Sequence, residues 1–297
     1  MAEWDSASLC ERIVRDARVP KGAPYRTIAN LLPLVDRHLR TSVVPRLLDA
    51  AEGHLSATVD LTLVEGKATY RIPHRSLRLL DVVLLDGSGR PVSPFGRTTG
   101  QQARELTNTT PGTPRVWTVE SSSVVLSPPP SALSGYKLRL RIARRPGRMM
   151  DSAAAWTVLA VGSGYVDVAG ASMPPVQTYD FIKGTPSFES VKDDATTSAV
   201  TVTTGGWRLA YAGADWLDGL EVGDYVAPMG YAPVPQIPLD YIPVLEQAVI
   251  EQVKRENGDM DGAAAARAAK DDLASSAQTV LEPRATEDTT IIPGWDP

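Results

Sequence analysis

The spacing of apolar residues changes several times along the chain, and each change predicts a different kind of element. Leu9, Ile13 and Val14 recur at helical spacing behind Ser6 and Ser8, either of which can cap a helix running to about Arg18. The stretch VPKGAP breaks that pattern. A longer helical period follows from about Tyr25 to Ala51, carried by Ile28, Leu31, Leu32, Val35, Leu39, Val43, Leu47 and Leu48. Pro33 and Pro45 fall inside it, and each predicts a kink or a break, because proline removes a helical N–H and crowds the preceding turn.

From Ala57 the period becomes two. Val59, Leu61 and Leu63 alternate with polar neighbours, and the chain turns at Glu65-Gly66 and returns through Ala68, Tyr70 and Ile72, which predicts a hairpin. A further strand pair is expected around Asp86-Gly87-Ser88-Gly89. Val116, Trp117 and Val119 predict one strand and Val124, Val125 and Leu126 another, with a tight turn between. Leu138, Leu140 and Ile142 alternate with Lys137, Arg139 and Arg141. Short strands at this regular spacing predict an antiparallel sandwich or barrel over residues 57–150.

Pro146-Gly147 reads as a boundary, and glycine-punctuated strands beyond it predict a second, smaller β unit over residues 151–236. Helical signals return at Pro238, Leu239 and Asp240. Leu245, Val249, Ile250 and Val253 make an apolar stripe that ends at ENGD, and an Ala-rich helix follows from about Met260 to Leu281. The last segment, residues 282–297, has two boundary prolines and no helical period, so it is expected to be extended. The predicted fold class is therefore α+β. Residues 1–56 and 237–281 supply a helical bundle, the β body and the smaller β unit lie between them, and an arm closes the chain.

Composition narrows the function classes. Across 297 residues, 43% hydrophobic and 22% charged content is ordinary for a globular protein, and the formal net charge of −5 disfavours free nucleic acid as a general partner. The single cysteine, Cys10, allows no intramolecular disulfide and sits among apolar neighbours, so it is expected to be a small buried hydrophobe in a reducing cytoplasm. The opening MAEWDSASLC lacks the basic-then-apolar order of an export signal, and no run approaches the roughly 20 apolar residues of a membrane span.

Motifs for catalysis are missing from the sequence. His38, His54 and His74 are scattered, the pairs Asp193-Asp194 and Asp271-Asp272 lack calcium-loop spacing, and no nucleophile elbow or phosphate loop occurs. No catalytic, cofactor or metal residues are expected. One charge feature stands out: Lys137, Arg139, Arg141, Arg144, Arg145 and Arg148 fall within twelve residues that contain no acid. They predict either a solvated outer face or a positive surface toward DNA or an acidic partner. Trp207, Tyr211 and Trp216 predict a β-core or subunit contact, with a carbohydrate-stacking platform as the alternative.

Three stretches carry a resemblance. They are the helical opening that runs into VEGKATYRIP and LRLLDVVLLDGSG, the strand pair followed by KLRLRIARRPGRM, and the closing helices from IPLDYIPVLEQAVIEQVKRENGD to VLEPR. In this order the chain resembles the head-to-tail adaptor (connector or gatekeeper) proteins of short-tailed bacteriophages. The resemblance implies a non-enzymatic virion component, assembled in the host cytoplasm as a homo-oligomeric ring, usually twelvefold. It further implies docking beneath the portal protein, a contact with the next tail protein (nozzle or tail tube), and DNA passing through the lumen. It makes residues 282–297 a portal-binding arm, with Arg284, Ile291, Ile292 and Trp295 as its contacts. The rival from another class is a carbohydrate-binding, receptor-recognising tail component built on Trp207, Tyr211 and Trp216.

Overall fold

The computed structural model describes residues 4–50, 55–73, 75–99, 110–131, 135–175, 177–185, 190–211, 217 and 219–281, the side chains of 190–194 excepted. The chain divides into two compact units, one of Glu52–Arg145 and one of the described residues of Met1–Ala51 and Pro146–Pro297.

The first unit is a sandwich of two sheets. Strands β1 (Ser56–Thr62), β3 (Ser76–Leu85) and β7 (Lys137–Arg144) form one sheet with β7 in the middle. Strands β2 (Thr69–Arg71), β4 (Gly96–Arg97), β5 (Val116–Glu120) and β6 (Ser123–Ser127) form the other in the order β2-β6-β5-β4. Side chains from both sheets meet in one core that includes Tyr70, Leu84, Trp117, Leu126, Leu138 and Leu140. The alternation along β7 holds as expected, with Leu138, Leu140 and Ile142 buried and Lys137, Arg139 and Arg141 exposed.

The expected hairpin over residues 57–72 does not form. β1 pairs with β7 and β2 pairs with β6, so the turn at Glu65-Gly66 carries the chain from one sheet to the other. Gly66 takes φ +72°, which suits glycine, and Tyr70 Oη accepts the Val64 N–H at 2.9 Å to fix the corner. Period-two patterning specifies a strand and its buried face but not its partner.

The second unit joins helices to a sheet. Helix α1 (Ser6–Asp16) is capped by Asp5 rather than by Ser6 or Ser8: Asp5 Oδ1 accepts the Ser8 N–H at 2.8 Å. Ser6 Oγ instead accepts the Ser152 N–H. Helix α2 (Ile28–His38) passes through Pro33 without ending, then a π-turn over Leu39–Val43 leads into α3 (Val44–Ala50). The Val44 N–H reaches back to the Leu39 carbonyl, five residues away, just ahead of Pro45, which has no N–H to offer. The break expected near Pro45 is thus a π-bulge in a continuous helical path.

Helices α4 (Ile242–Glu256) and α5 (Met260–Leu281) pack against each other, and α4 also contacts α1 and α2. α4 buries Ile242, Val244, Leu245, Ala248, Val249, Ile250 and Val253, more than one stripe, because it has neighbours on several sides. The helices from the two ends of the chain therefore share one core, in an α+β fold.

The rest of this unit is a seven-stranded sheet in the order β12-β11-β15-β9-β10-β14-β13. Its strands are β9 (Trp156–Gly162), β10 (Tyr165–Ala169), β11 (Thr178–Ile182), β12 (Ser190–Thr196), β13 (Ala199–Thr203), β14 (Gly206–Ala210) and β15 (Tyr225–Pro228), each paired antiparallel with its neighbours. The two edge strands, β12 and β13, follow each other with only Thr197 and Ser198 between them. Two residues span at most about 10 Å between flanking positions, so the sheet must curl until its edges meet at that corner. Inside the curl lie Trp156, Val158, Val166, Val168, Tyr179, Phe181, Leu209 and Val226.

Candidate assembly surface

The basic cluster lies mostly on the outer face of the sandwich, where β7 sits between β1 and β3. Register places Arg139 opposite Asp60 and Arg141 opposite Asp81. Arg139 grips Asp60 with two parallel bonds, Nε to Oδ1 and Nη2 to Oδ2, both 2.8 Å. That contact holds the Asp60 carboxyl below its usual range. The acids missing from the local sequence are thus supplied by neighbouring strands. Lys137, Arg141 and Arg145 are exposed, while the Arg145 N–H donates to the Arg75 carbonyl at 2.6 Å. Arg144 is partly buried at the end of β7. Arg148 belongs to the other compact unit. The face is basic in part, and less so than the sequence alone suggests.

The aromatic trio does not form an exposed platform. Tyr211 is buried in the core of the curled sheet, edge-on to Phe181 with ring centroids 5.5 Å apart, and burial pushes its phenol well above the usual range. Trp207 is partly buried and packs against the same core. Trp216 lies outside the described residues, as do His54, His74 and the arm residues Arg284, Ile291, Ile292 and Trp295. A stacking surface for sugar loses Tyr211.

The remaining candidates take structural places. Burial pushes the His38 imidazole below its usual value, aided by Arg37 and Lys270, and His38 Nδ1 lies 3.5 Å from Ser42 Oγ beside the π-turn. Asp271 accepts from Arg46 at 2.8 Å, tying α5 to α3. Asp193 and Asp194 lie in strand β12. Cys10 is buried, and burial pushes its thiol up to about 12. Among the described residues, no three or more His, Cys, Asp and Glu come together as a metal cluster, and no helix is long and apolar enough to cross a membrane.

Two features were not read from the sequence. One is a buried ionic knot between α4 and α5. Glu251 accepts from Lys270 at 2.6 Å and from Arg255 at 2.6 Å, and the side chains of Glu251 and Lys270 are only 12% and 14% exposed. The i,i+4 spacing of Glu251 and Arg255 was visible, but Lys270 arrives from another helix. The other is the junction where residues 146–150 run alongside residues 229–236. Strands β8 (Arg148–Met149) and β16 (Tyr231–Ala232) pair in parallel there. The Gly147 N–H donates to Gln236 Oε1 at 2.6 Å, and the Met149 N–H donates to Asp36 Oδ1 at 2.9 Å, so the junction is sewn to α2. Asp180, wholly buried, accepts the Gly230 N–H at 2.7 Å. A glycine between Met229 and Tyr231, in PMGYA, was the signal available for this turn.

Fold and surfaces together define an α+β protein of helices and largely antiparallel sheets. The chain belongs to the SU10 adaptor protein family, whose sequence model matches residues 7–173, more than half of its length. The match runs from α1 through the sandwich and into the curled sheet, and it is consistent with a phage head-to-tail adaptor. That family suggests a structural role in the virion rather than catalysis. Among curated proteins, none matches the chain.

Proposed function

We propose that this protein forms a ring beneath the portal, usually twelvefold in the family it resembles, joining capsid to tail around the DNA channel. The observation that carries the reading is the family match, which spans the N-terminal helices and the whole sandwich. The packing of α4 against α1 and α2 supports it, because helices from both ends of the chain then build one rigid layer. In this reading residues 282–297 leave α5 as an arm that binds the portal through Arg284, Ile291, Ile292 and Trp295. Apolar and aromatic tips on a polar tail are what an anchor in a partner's groove requires.

The next tail protein, a nozzle or tail tube, is then the partner on the side away from the portal. Lys137, Arg139, Arg141, Arg144 and Arg145 contribute positive charge toward the passing DNA or an acidic partner. Because Asp60 matches Arg139 and Asp81 lies opposite Arg141, the field toward DNA comes mainly from Lys137 and Arg145, repeated by the symmetry of the ring. Deleting residues 283–297 tests the arm directly. Portal binding is expected to vanish while the circular dichroism spectrum and unfolding midpoint stay unchanged. Retention of portal binding by the shortened chain would overturn the assignment.

A further inference from the structure

The turn that links β15 to β16 is fixed more firmly than a surface connection requires. Asp180 is a carboxylate with 0% exposure, and it accepts the Gly230 N–H at 2.7 Å. The Gly230 carbonyl accepts from Arg148 N–H at 2.7 Å, and the Met229 N–H donates to the Thr178 carbonyl at 3.3 Å. Gly230 takes φ +87°, a conformation that side-chain-bearing residues rarely adopt. Burying a carboxylate is costly unless its bonds are good, so this turn is held by one of the more expensive devices a fold can use. What it displays is apolar: Met229 is 44% exposed and Tyr231 38% exposed. Arg148, the ladder partner of Tyr231, is exposed beside them. Methionine, tyrosine and arginine are enriched at the centres of protein interfaces, and a rigid turn loses little entropy when it docks.

The same compact unit carries a surface of complementary character. On α5 the residues Asp261, Ala265, Ala268 and Asp272 recur at spacings of three and four, and all are exposed. They make a shallow floor of methyl groups set between two carboxylates. The opposite side of α5, with Ala263, Ala266, Ala274 and Ala277, is buried. A basic, apolar knob and an acidic, apolar floor are therefore offered by one compact unit.

We propose that the Met229–Tyr231 turn of one copy docks on the outward face of α5 in the next copy, with Arg148 set against Asp272. The inference rests on the ring reading above and deepens it by naming the subunit contact. Because knob and floor are different patches, the contact is head-to-tail and closes into a ring when the rotation between copies permits.

The test uses the full-length chain bound to its cognate portal. In a Tyr231→Cys, Ala268→Cys double variant, a short bis-maleimide is expected to give a ladder of covalent multimers on a denaturing gel. Neither single variant is expected to give one, and Cys10 stays out of the reaction because it is buried. As a second arm, Arg148→Asp is expected to lower ring yield about tenfold, and adding Asp272→Arg to the same chain restores it. Dimers from either single variant mean two-fold pairing and overturn the proposal. So does cross-linking of Tyr231→Cys to the portal, or a ring yield that Arg148→Asp leaves unchanged. Rings visible by electron microscopy without a ladder refute this contact and leave the ring reading standing. A wild-type chain that forms no ring on the portal refutes both.

Discussion

Replacing Lys270 by Met removes one of the two cations that hold Glu251 between α4 and α5. Glu251 Oε2 loses its 2.6 Å bond to Lys270, while Oε1 keeps its 2.6 Å bond to Arg255. Stranding a buried charge altogether costs roughly 3–5 kcal/mol. Here one partner remains, and the Arg255 side chain is half exposed, so the expected loss is about 2 kcal/mol. In urea that corresponds to a midpoint lower by about 1 M, read by far-ultraviolet circular dichroism at pH 7. The double variant Glu251→Leu, Lys270→Met takes the charge away with its partner and is expected to fall within about 1 kcal/mol of wild type. The two substitutions are thus strongly non-additive, as contacting residues should be. The Arg46–Asp271 pair gives the contrast: its side chains are 42% and 50% exposed, and its loss is expected to cost only a few tenths of a kcal/mol. A Lys270→Met variant within about 0.5 kcal/mol of wild type, or strict additivity in the double variant, would refute the reasoning.

Other outcomes follow from the same structure. Because burial holds the His38 imidazole below its ordinary 6.5, the fold favours the neutral ring. That contribution is complete above about pH 6.5 and is lost as pH falls below it, so stability should decline between pH 7 and 5. His38→Gln should flatten the decline in that window; Asp60, Asp167 and Asp271, all held below 3.8, act only in stronger acid. Gly147→Ala should destabilise by about 1–3 kcal/mol in thermal unfolding, because an added Cβ would lie 2.9 Å from Ala232 Cβ and 3.1 Å from the Tyr231 backbone. Cys10 should resist a thiol reagent in the native protein and react once the chain is unfolded in urea.

The bracketing helices were legible because each announces itself locally, by apolar residues at spacings of three and four and by Pro, Gly or Asn at the ends. Val249 and Ile250 face the core as that stripe requires, and the closing helix begins at Met260 as expected. The alternation of Leu138, Leu140 and Ile142 with basic residues likewise fixed which face of β7 is wet. Partners were another matter. Nothing in the residues near β1 says that its neighbour is β7, some eighty positions away, rather than the strand just after Gly66. The acids that face Arg139 and Arg141 come from β1 and β3 for the same reason. The curl of the second sheet depends on Thr197 and Ser198 being too short a link to separate two edges, a fact that becomes visible only once the strand order is known. Tyr211 and Trp207 looked alike in sequence, and only packing puts the first inside the core and the second at its margin.

The adaptor account is tested most directly by electron microscopy of the purified protein, alone and mixed with its cognate portal. A closed ring seated on the portal in the mixture, with separate subunits in the protein alone, is the expected result. Portal particles that stay bare in the mixture, with the protein still as separate subunits, would contradict it.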